Sequence, residues 1–313
     1  MKVCFVGVGS IARRHIKNLH QLCSERNIQL TIDAIRRPSS NILETPELVS
    51  NVYTSVSELQ EEYDVIFLTN PTEYHAEMLI QLHDHGRNFF IEKPIASLDS
   101  VDRIAQLKLR PESIYYVACP LRYTNVIQFL KKEIDPNTVN CVRSISSSYL
   151  PEWRPGTDYR KTYSAHKDMG GGVAIDLIHE WDYITFLFGM PSEVKSFIGK
   201  VSNLEIDSDD YAIYIAQYGH SMVAELHLDY FGRKTIRTVE IFTDNDVIVG
   251  DLVAGEVRYL KSGRVVDLRE ERDAYQKREL GYFIDMIYGK ADSQNGIKEA
   301  VKVLKLTQGI VVQ

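Results

Sequence analysis

The chain has 313 residues, 44% hydrophobic and 25% charged, with 36 Lys plus Arg against 43 Asp plus Glu and a formal charge of −7. That length suggests two domains with enough buried surface to fold without disulfide or metal staples, and an acidic balance with only short basic clusters excludes the broad positive footprint of a nucleic-acid binder. Cys4, Cys23, Cys119 and Cys141 form no CxxC pair and no zinc-ligand spacing, so no metal site is expected and the thiols fit a reduced, cytoplasmic protein.

No apolar run reaches the roughly 20 residues of a membrane helix, and Val3 to Val8 is too short for a signal sequence. From the N-terminus, Val3 to Val6 is a short β-forming run, followed by a glycine turn and a helical pattern through Ile11, His15, Leu19 and Leu22. Strand patterns follow at residues 29–35, 64–69, 88–91 and 116–118, with a helix pattern over residues 73–85. This alternation of apolar strands and helices predicts a doubly wound parallel sheet over residues 1–119.

The pattern then changes. A helix is expected over residues 125–133, a strand over 139–150, a polar loop over 151–169 and a helix over 173–188. Strands follow in quick succession at residues 193–201, 211–218, 222–230, 236–243 and 247–252, and two helices close the chain at 275–288 and 297–311. Residues 120–313 therefore read as an α+β domain with an open, largely antiparallel sheet.

Gly7-x-Gly9-x-x-Ala12 after the first strand matches the dinucleotide fingerprint, in which glycines allow a tight turn and close approach to a pyrophosphate. Ser10 and Ile11 then open a helix whose free N–H groups suit phosphate. The same glycines also suit S-adenosylmethionine or a turn needed only for packing. Dinucleotide sites place an Asp or Glu at the end of the second strand for NAD, or an Arg for NADP. Arg36, Arg37 and Ser39 stand at that end and favour NADP, while Asp33 in the same segment keeps NAD open. His75, after Asn70 and Pro71, is a candidate for the cofactor edge.

Glu92-Lys93-Pro94 puts a lysine at the carboxyl end of an apolar strand, the edge where ligands of parallel sheets bind. There Lys93 could bind substrate and polarise its oxygen. Downstream of Gly170-Gly171-Gly172, Asp176, His179 and Glu180 fall three and four residues apart in an apolar helix and so share a face. Buried without partners they would be costly, so they are expected to face a cleft or form a satisfied network. His179, with a side-chain pKa near neutrality, is the candidate general acid/base, Asp176 its orienting carboxylate and Lys93 the alkoxide stabiliser.

Together the glycine turn, Asn70-Pro71-Thr72 with His75, Glu92-Lys93-Pro94, Arg122-Tyr123 and the glycine-led Asp176/His179 helix resemble, in order and over essentially the whole chain, the Gfo/Idh/MocA oxidoreductases, the family of glucose-fructose oxidoreductase and inositol dehydrogenase. The resemblance implies an N-terminal Rossmann domain, a C-terminal domain whose open sheet often mediates homo-oligomerisation, and NAD(P)-dependent redox at a hydroxyl or keto carbon of a sugar, amino sugar, nucleotide sugar or cyclitol. It also implies that Lys93 is the catalytic lysine, that Asp176 and His179 are the helix Asp and His, that Asn70, Pro71 and Glu92 belong to the cofactor site and that Arg122 belongs to the substrate site. The commoner family spacing puts the His four residues after the Asp; the spacing of three here makes Glu180 a rival for either role. The loop carrying Trp153, Asp158, Tyr159 and Arg160 resembles a subgroup acting on precursors of bacterial surface polysaccharides: Trp153 could stack on a sugar ring while Asp158 and Arg160 read polar groups. Two other readings compete, a non-enzymatic NADP-binding regulatory protein and a glycosidase using NAD transiently on the same fold.

Overall fold

The computed structural model describes residues 1–36, 46–219 and 222–312, so Arg37 and Ser39 lie outside the described residues. The chain divides into two compact units, the first made of Met1–Ala118 and Gln276–Val301, the second of Cys119–Tyr275 and Lys302–Gln313.

In the first unit β1 (Lys2–Val6), β2 (Thr31–Ile35), β3 (Asn51–Tyr53), β4 (Tyr63–Leu68), β5 (Gly86–Ile91) and β6 (Tyr115–Val117) form one sheet in the order β3-β2-β1-β4-β5-β6. Every pairing is parallel. The central strands are buried on both faces, which is why they read as continuous apolar runs rather than alternations. Helices α1 (Ser10–Glu25), α2 (His75–Leu82) and α3 (Val101–Ala105) connect them. The strand order reverses between β1 and β4, the crevice where doubly wound sheets bind ligands.

The second unit begins with α4 (Asn125–Glu133), whose first turn is capped by the Thr124 hydroxyl. After β7 (Val139–Tyr149) come the short helix α5 (Val173–Asp176) and α6 (His179–Phe188), then β8 (Glu193–Gly199), β9 (Tyr211–Gln217), β10 (Val223–Asp229), β11 (Phe231–Thr243), β12 (Val247–Asp251), β13 (Glu256–Tyr259) and β14 (Val265–Asp267). They make an eight-stranded sheet, order β14-β13-β12-β11-β7-β10-β9-β8, antiparallel except for β10 against β7. In β9 and in β10 as far as Leu228 the strands alternate: Ala212, Tyr214, Ala216, Ala224, Leu226 and Leu228 face inward and are buried.

Two features depart from the sequence expectation. The C-terminal helix α7 (Ala274–Ile287) lies largely in the first unit, not with the rest of 120–313. There Phe283 packs edge-on against Phe67 and Phe90, and the Tyr116 hydroxyl donates to Glu279 at 3.0 Å. α8 (Ile297–Leu306) follows it. The expected helix over 173–188 is broken at Leu177 and Ile178, where Leu177 leaves helical backbone at φ −95°, ψ 32°.

Candidate active site

The cofactor half is built on the β1–α1 turn. Gly7 sits at φ +86°, and a Cβ there would lie 3.0 Å from the Asn70 Cα, so only glycine suits the turn. Around Gly9, by contrast, a Cβ would meet nothing within 4 Å, leaving the backbone open to a ligand. Gly9 begins α1 with no side-chain cap and no acidic residue in the first turn. Its first N–H groups, including those of Ser10 and Ile11, and its positive dipole end are thus suited to an anion. A cleft of about 580 Å³ runs from this turn past Arg36, Thr54 and Ser55 on one side and Asn70, Pro71, Tyr74 and Met78 on the other. Its glycine cradle, uncapped helix end and length of lining fit a dinucleotide.

Asp33 is not at the cofactor edge. It is fully buried inside β2, where its carboxylate accepts from Asn51 Nδ2 and the Tyr63 hydroxyl, both at 2.8 Å. The strand runs on to Ile35, whose carbonyl takes the Gly7 N–H at 2.9 Å, and so the residue that reaches the cleft is Arg36. His75 does not line the cleft either. Its ring is 1% exposed, Nδ1 lies 3.0 Å from the Pro94 carbonyl and Nε2 lies 2.8 Å from the Asn70 carbonyl. Burial pulls its pKa below the ordinary value, against the contrary pull of those carbonyls. It ties the Asn70–Pro71 loop to the Glu92-Lys93-Pro94 turn.

Glu92 follows β5 and has protein partners on both oxygens: His15 Nε2 lies 2.5 Å from Oε1 and the Lys93 backbone N–H donates to Oε2 at 3.2 Å. Burial opposes its charge, but the His15 hydrogen bond and the charges of His15, Lys93 and His75 outweigh it and hold the carboxyl below its usual range.

In the second unit the glycines before α5 again mark a close approach. A Cβ on Gly171 would strike the Tyr163 carbonyl and one on Gly172, at φ +125°, the Asp209 carboxylate. Asp209 accepts from Val173 N–H through its carbonyl at 3.0 Å and from Ala174 N–H through Oδ2 at 2.9 Å, opening α5. Asp176 ends α5 and His179 begins α6, so the helix break, not a common helical face, sets their relation. The Tyr230 hydroxyl donates to Asp176 Oδ2 at 2.6 Å, and the Tyr163 hydroxyl bonds the same carboxylate. Burial first, then this anion, raises both tyrosine pKa values, so the phenols stay protonated and donate. His179 is half-buried, whereas Asp176 is buried.

Glu180 points elsewhere. Its carboxylate is fully buried with Oε1 2.8 Å from Arg237 Nε, a close ion pair whose geometry falls short of a hydrogen bond, and burial raises its pKa despite Arg237. It is thus spatially committed to β11 and the sheet. Arg122 forms a bidentate, buried pair with Asp182 at 2.9 and 2.7 Å and stacks its guanidinium over Phe186. Asp158 and Arg160 grip each other at 2.9 Å, and Arg160 also reaches Glu205 at 2.8 Å. The Tyr159 hydroxyl accepts from the Glu205 N–H at 3.2 Å. Trp153 donates to Ser148 Oγ at 2.9 Å and sets its ring edge-on to Tyr230, bracing the residue that holds Asp176. Sequence reading missed Tyr230 and Tyr163 because no spacing links them to Asp176. His15 carried a signal, a polar residue on the apolar face of α1.

A Rossmann sheet with a glycine turn and an uncapped helix end, joined in one chain to an open-sheet domain carrying Asp176 and His179, suits a dinucleotide-dependent oxidoreductase. Residues 1–118 match the model of an oxidoreductase family with an NAD-binding Rossmann fold, and residues 127–249 match the GFO/IDH/MocA C-terminal domain. The chain belongs to the Gfo/Idh/MocA family. It is 26% identical over 204 residues to 2,7-anhydro-N-acetylneuraminate hydratase of Mediterraneibacter gnavus, covering 62% of this chain and 54% of that protein. It is 22% identical over 193 residues to myo-inositol 2-dehydrogenase of Thermotoga maritima, covering 60% and 55%. The matches thus span about half the length of these curated relatives. Among solved structures, the WlbA dehydrogenase of Bordetella pertussis in complex with NADH and UDP-GlcNAcA superposes with a TM-score of 0.77 at 17% identity, covering 99% of this chain and 94% of that one. No helix among the described residues is long and apolar enough to cross a membrane.

Proposed function

We propose that this protein is an NAD(P)-dependent dehydrogenase or reductase acting on a CH–OH group of a sugar-like substrate, with NADP preferred. The observation that carries the reading is the break between α5 and α6, which separates Asp176, fixed by the Tyr230 hydroxyl at 2.6 Å, from half-buried His179 in an otherwise apolar segment. His179 moves the hydroxyl proton, as a base in oxidation and an acid in reduction. Asp176, held by the Tyr230 and Tyr163 hydroxyls, favours the imidazolium that forms when His179 holds that proton. The Lys93 ammonium stabilises the developing alkoxide. The β1–α1 turn and the cleft beside it hold the dinucleotide, whose nicotinamide supplies the hydride acceptor or donor.

Arg36 on the cleft wall, with Thr54 and Ser55 nearby and Asp33 committed to Tyr63 and Asn51, supports recognition of a 2′-phosphate. Relatives named for myo-inositol and a UDP-sugar support a polyhydroxylated substrate, with surface-polysaccharide precursors among the candidates. The relative named a hydratase supports a second reading, a reaction with no net redox in which the cofactor is regenerated each turnover. None of the four cysteines is in a disulfide, in keeping with a reducing cytoplasmic setting. One face of β8–β10 exposes Phe197, Ile215 and Val223, and we propose that a second copy covers it.

The test is a turnover screen of cyclitols, free sugars and nucleotide sugars with NADP⁺ and NAD⁺, repeated on His179→Ala and Lys93→Met. The reading expects NADPH formation with at least one of them, lost on the order of 100-fold in each variant. Full turnover in His179→Ala removes that assignment. Substrate conversion without NADPH accumulation selects the redox-neutral reading.

A further inference from the structure

His15 is 1% exposed, on the inner face of α1, the helix whose N-terminus flanks the cofactor cleft. Its ring is held edge-on by Phe90 at 5.0 Å and lies 6.4 Å from Phe67, which fixes the plane in which its nitrogens point. Nε2 meets Glu92 Oε1 at 2.5 Å, while Nδ1 is buried with no hydrogen-bond partner among the described residues. A carboxylate oxygen can only accept, so the ring nitrogen that faces it, Nε2, carries a proton. His15 is therefore an oriented Nε2–H donor to a carboxylate. The other oxygen of that carboxylate accepts the backbone N–H of Lys93.

We propose that His15 is a positioning residue for Lys93: by fixing Glu92 it fixes the main chain at which Lys93 leaves β5, and so ties the phosphate-binding helix to the lysine of the reaction. The inference rests on the proposed role of Lys93. The Coulombic surroundings of Glu92 are His15 from α1, His75 from α2 and Lys93 itself. With His15 removed, burial, the largest influence on Glu92, acts with less opposition and its carboxylate loses the donor that holds it. The Lys93 turn then loses its anchor while the glycine cradle at Gly7 and Gly9 is untouched.

The experiment compares wild type, His15→Leu and His15→Gln as full-length protein, reading three quantities: hydrogen exchange of the Lys93 amide, NADPH affinity and kcat. Gln can place an amide N–H near the position of His Nε2. In His15→Leu the Lys93 amide is expected to exchange at least ~10-fold faster and kcat to fall ~10- to 100-fold, as small misplacements of reacting groups do, with NADPH affinity within about threefold. His15→Gln should recover most of both losses. Unchanged Lys93 exchange in His15→Leu, or losses in NADPH affinity matching those in kcat, would overturn the proposal. If His15→Leu does not fold, Glu92→Gln and His15→Gln carry the same comparison: the first should free the Lys93 amide and the second should not. Lys93→Met separates the two ideas, since full turnover there removes the role of the lysine while the exchange result still decides whether His15 anchors it.

Discussion

At the scale of single residues, a partner that holds Asp176 lies far from it in the sequence. Asp176 was visible in the sequence, but Tyr230, which donates to it at 2.6 Å, is 54 residues away and is brought to it by the end of β10. Tyr230→Phe removes a hydrogen bond to an anion, an interaction of about 1.5–3 kcal/mol. It is expected to lower kcat at least ~10-fold with little change in cofactor affinity, measured by steady-state kinetics beside fluorescence titration. Glu92 offers a pH test. Its folded pKa is depressed, so the stability it contributes is present above the unfolded value, near pH 4.3, and is lost as pH falls through the folded one. The Tm advantage of wild type over Glu92→Gln should thus be full at pH 6 to 7 and close below about pH 4. A gap that widens on acidification would contradict the assignment. Asp33 shows where single-residue reading runs out: its place in the second strand was legible, but its commitment to Tyr63 and Asn51 depends on β3 and β4.

At the scale of elements, periodicity located most of the longer strands and helices, since buried parallel strands and half-buried antiparallel ones have distinct patterns. It failed at the 173–188 segment, where continuous apolarity hid the break at Leu177 and Ile178. Asp209 accepts from the first two N–H groups of α5 and crowds that turn. The same crowding makes Gly172 irreplaceable: Gly172→Ala puts a Cβ into the Asp209 carboxylate at φ +125°. A cost of about 1–3 kcal/mol is expected, read as a lower Tm together with lost turnover. Gly9→Ala meets no protein atom within 4 Å and should keep wild-type Tm while weakening NADPH binding. The short strands β3, β13 and β14 and the short helix α3 escaped the sequence because three to five residues carry too little pattern.

At the scale of the whole molecule, the sequence suggested a change of domain near residue 119, but it carried no sign that Gln276–Val301 belongs with the first unit. The α7 pattern records an apolar stripe, not which sheet receives it. Because Phe283 packs on Phe67 and Phe90 and Glu279 accepts from Tyr116, residues 1–118 alone would expose that aromatic face. A fragment ending at Ala118 is expected to aggregate or to lack a cooperative thermal transition, whereas adding Gln276–Val301 through a linker should restore one. The most direct test of the cofactor assignment is titration of the purified chain with NADPH and NADH, followed by nicotinamide fluorescence, on wild type and Arg36→Ala. Both are expected to bind, NADPH more tightly, with that preference lost by ~10-fold or more in Arg36→Ala. Failure of wild type to bind either nucleotide would contradict the assignment.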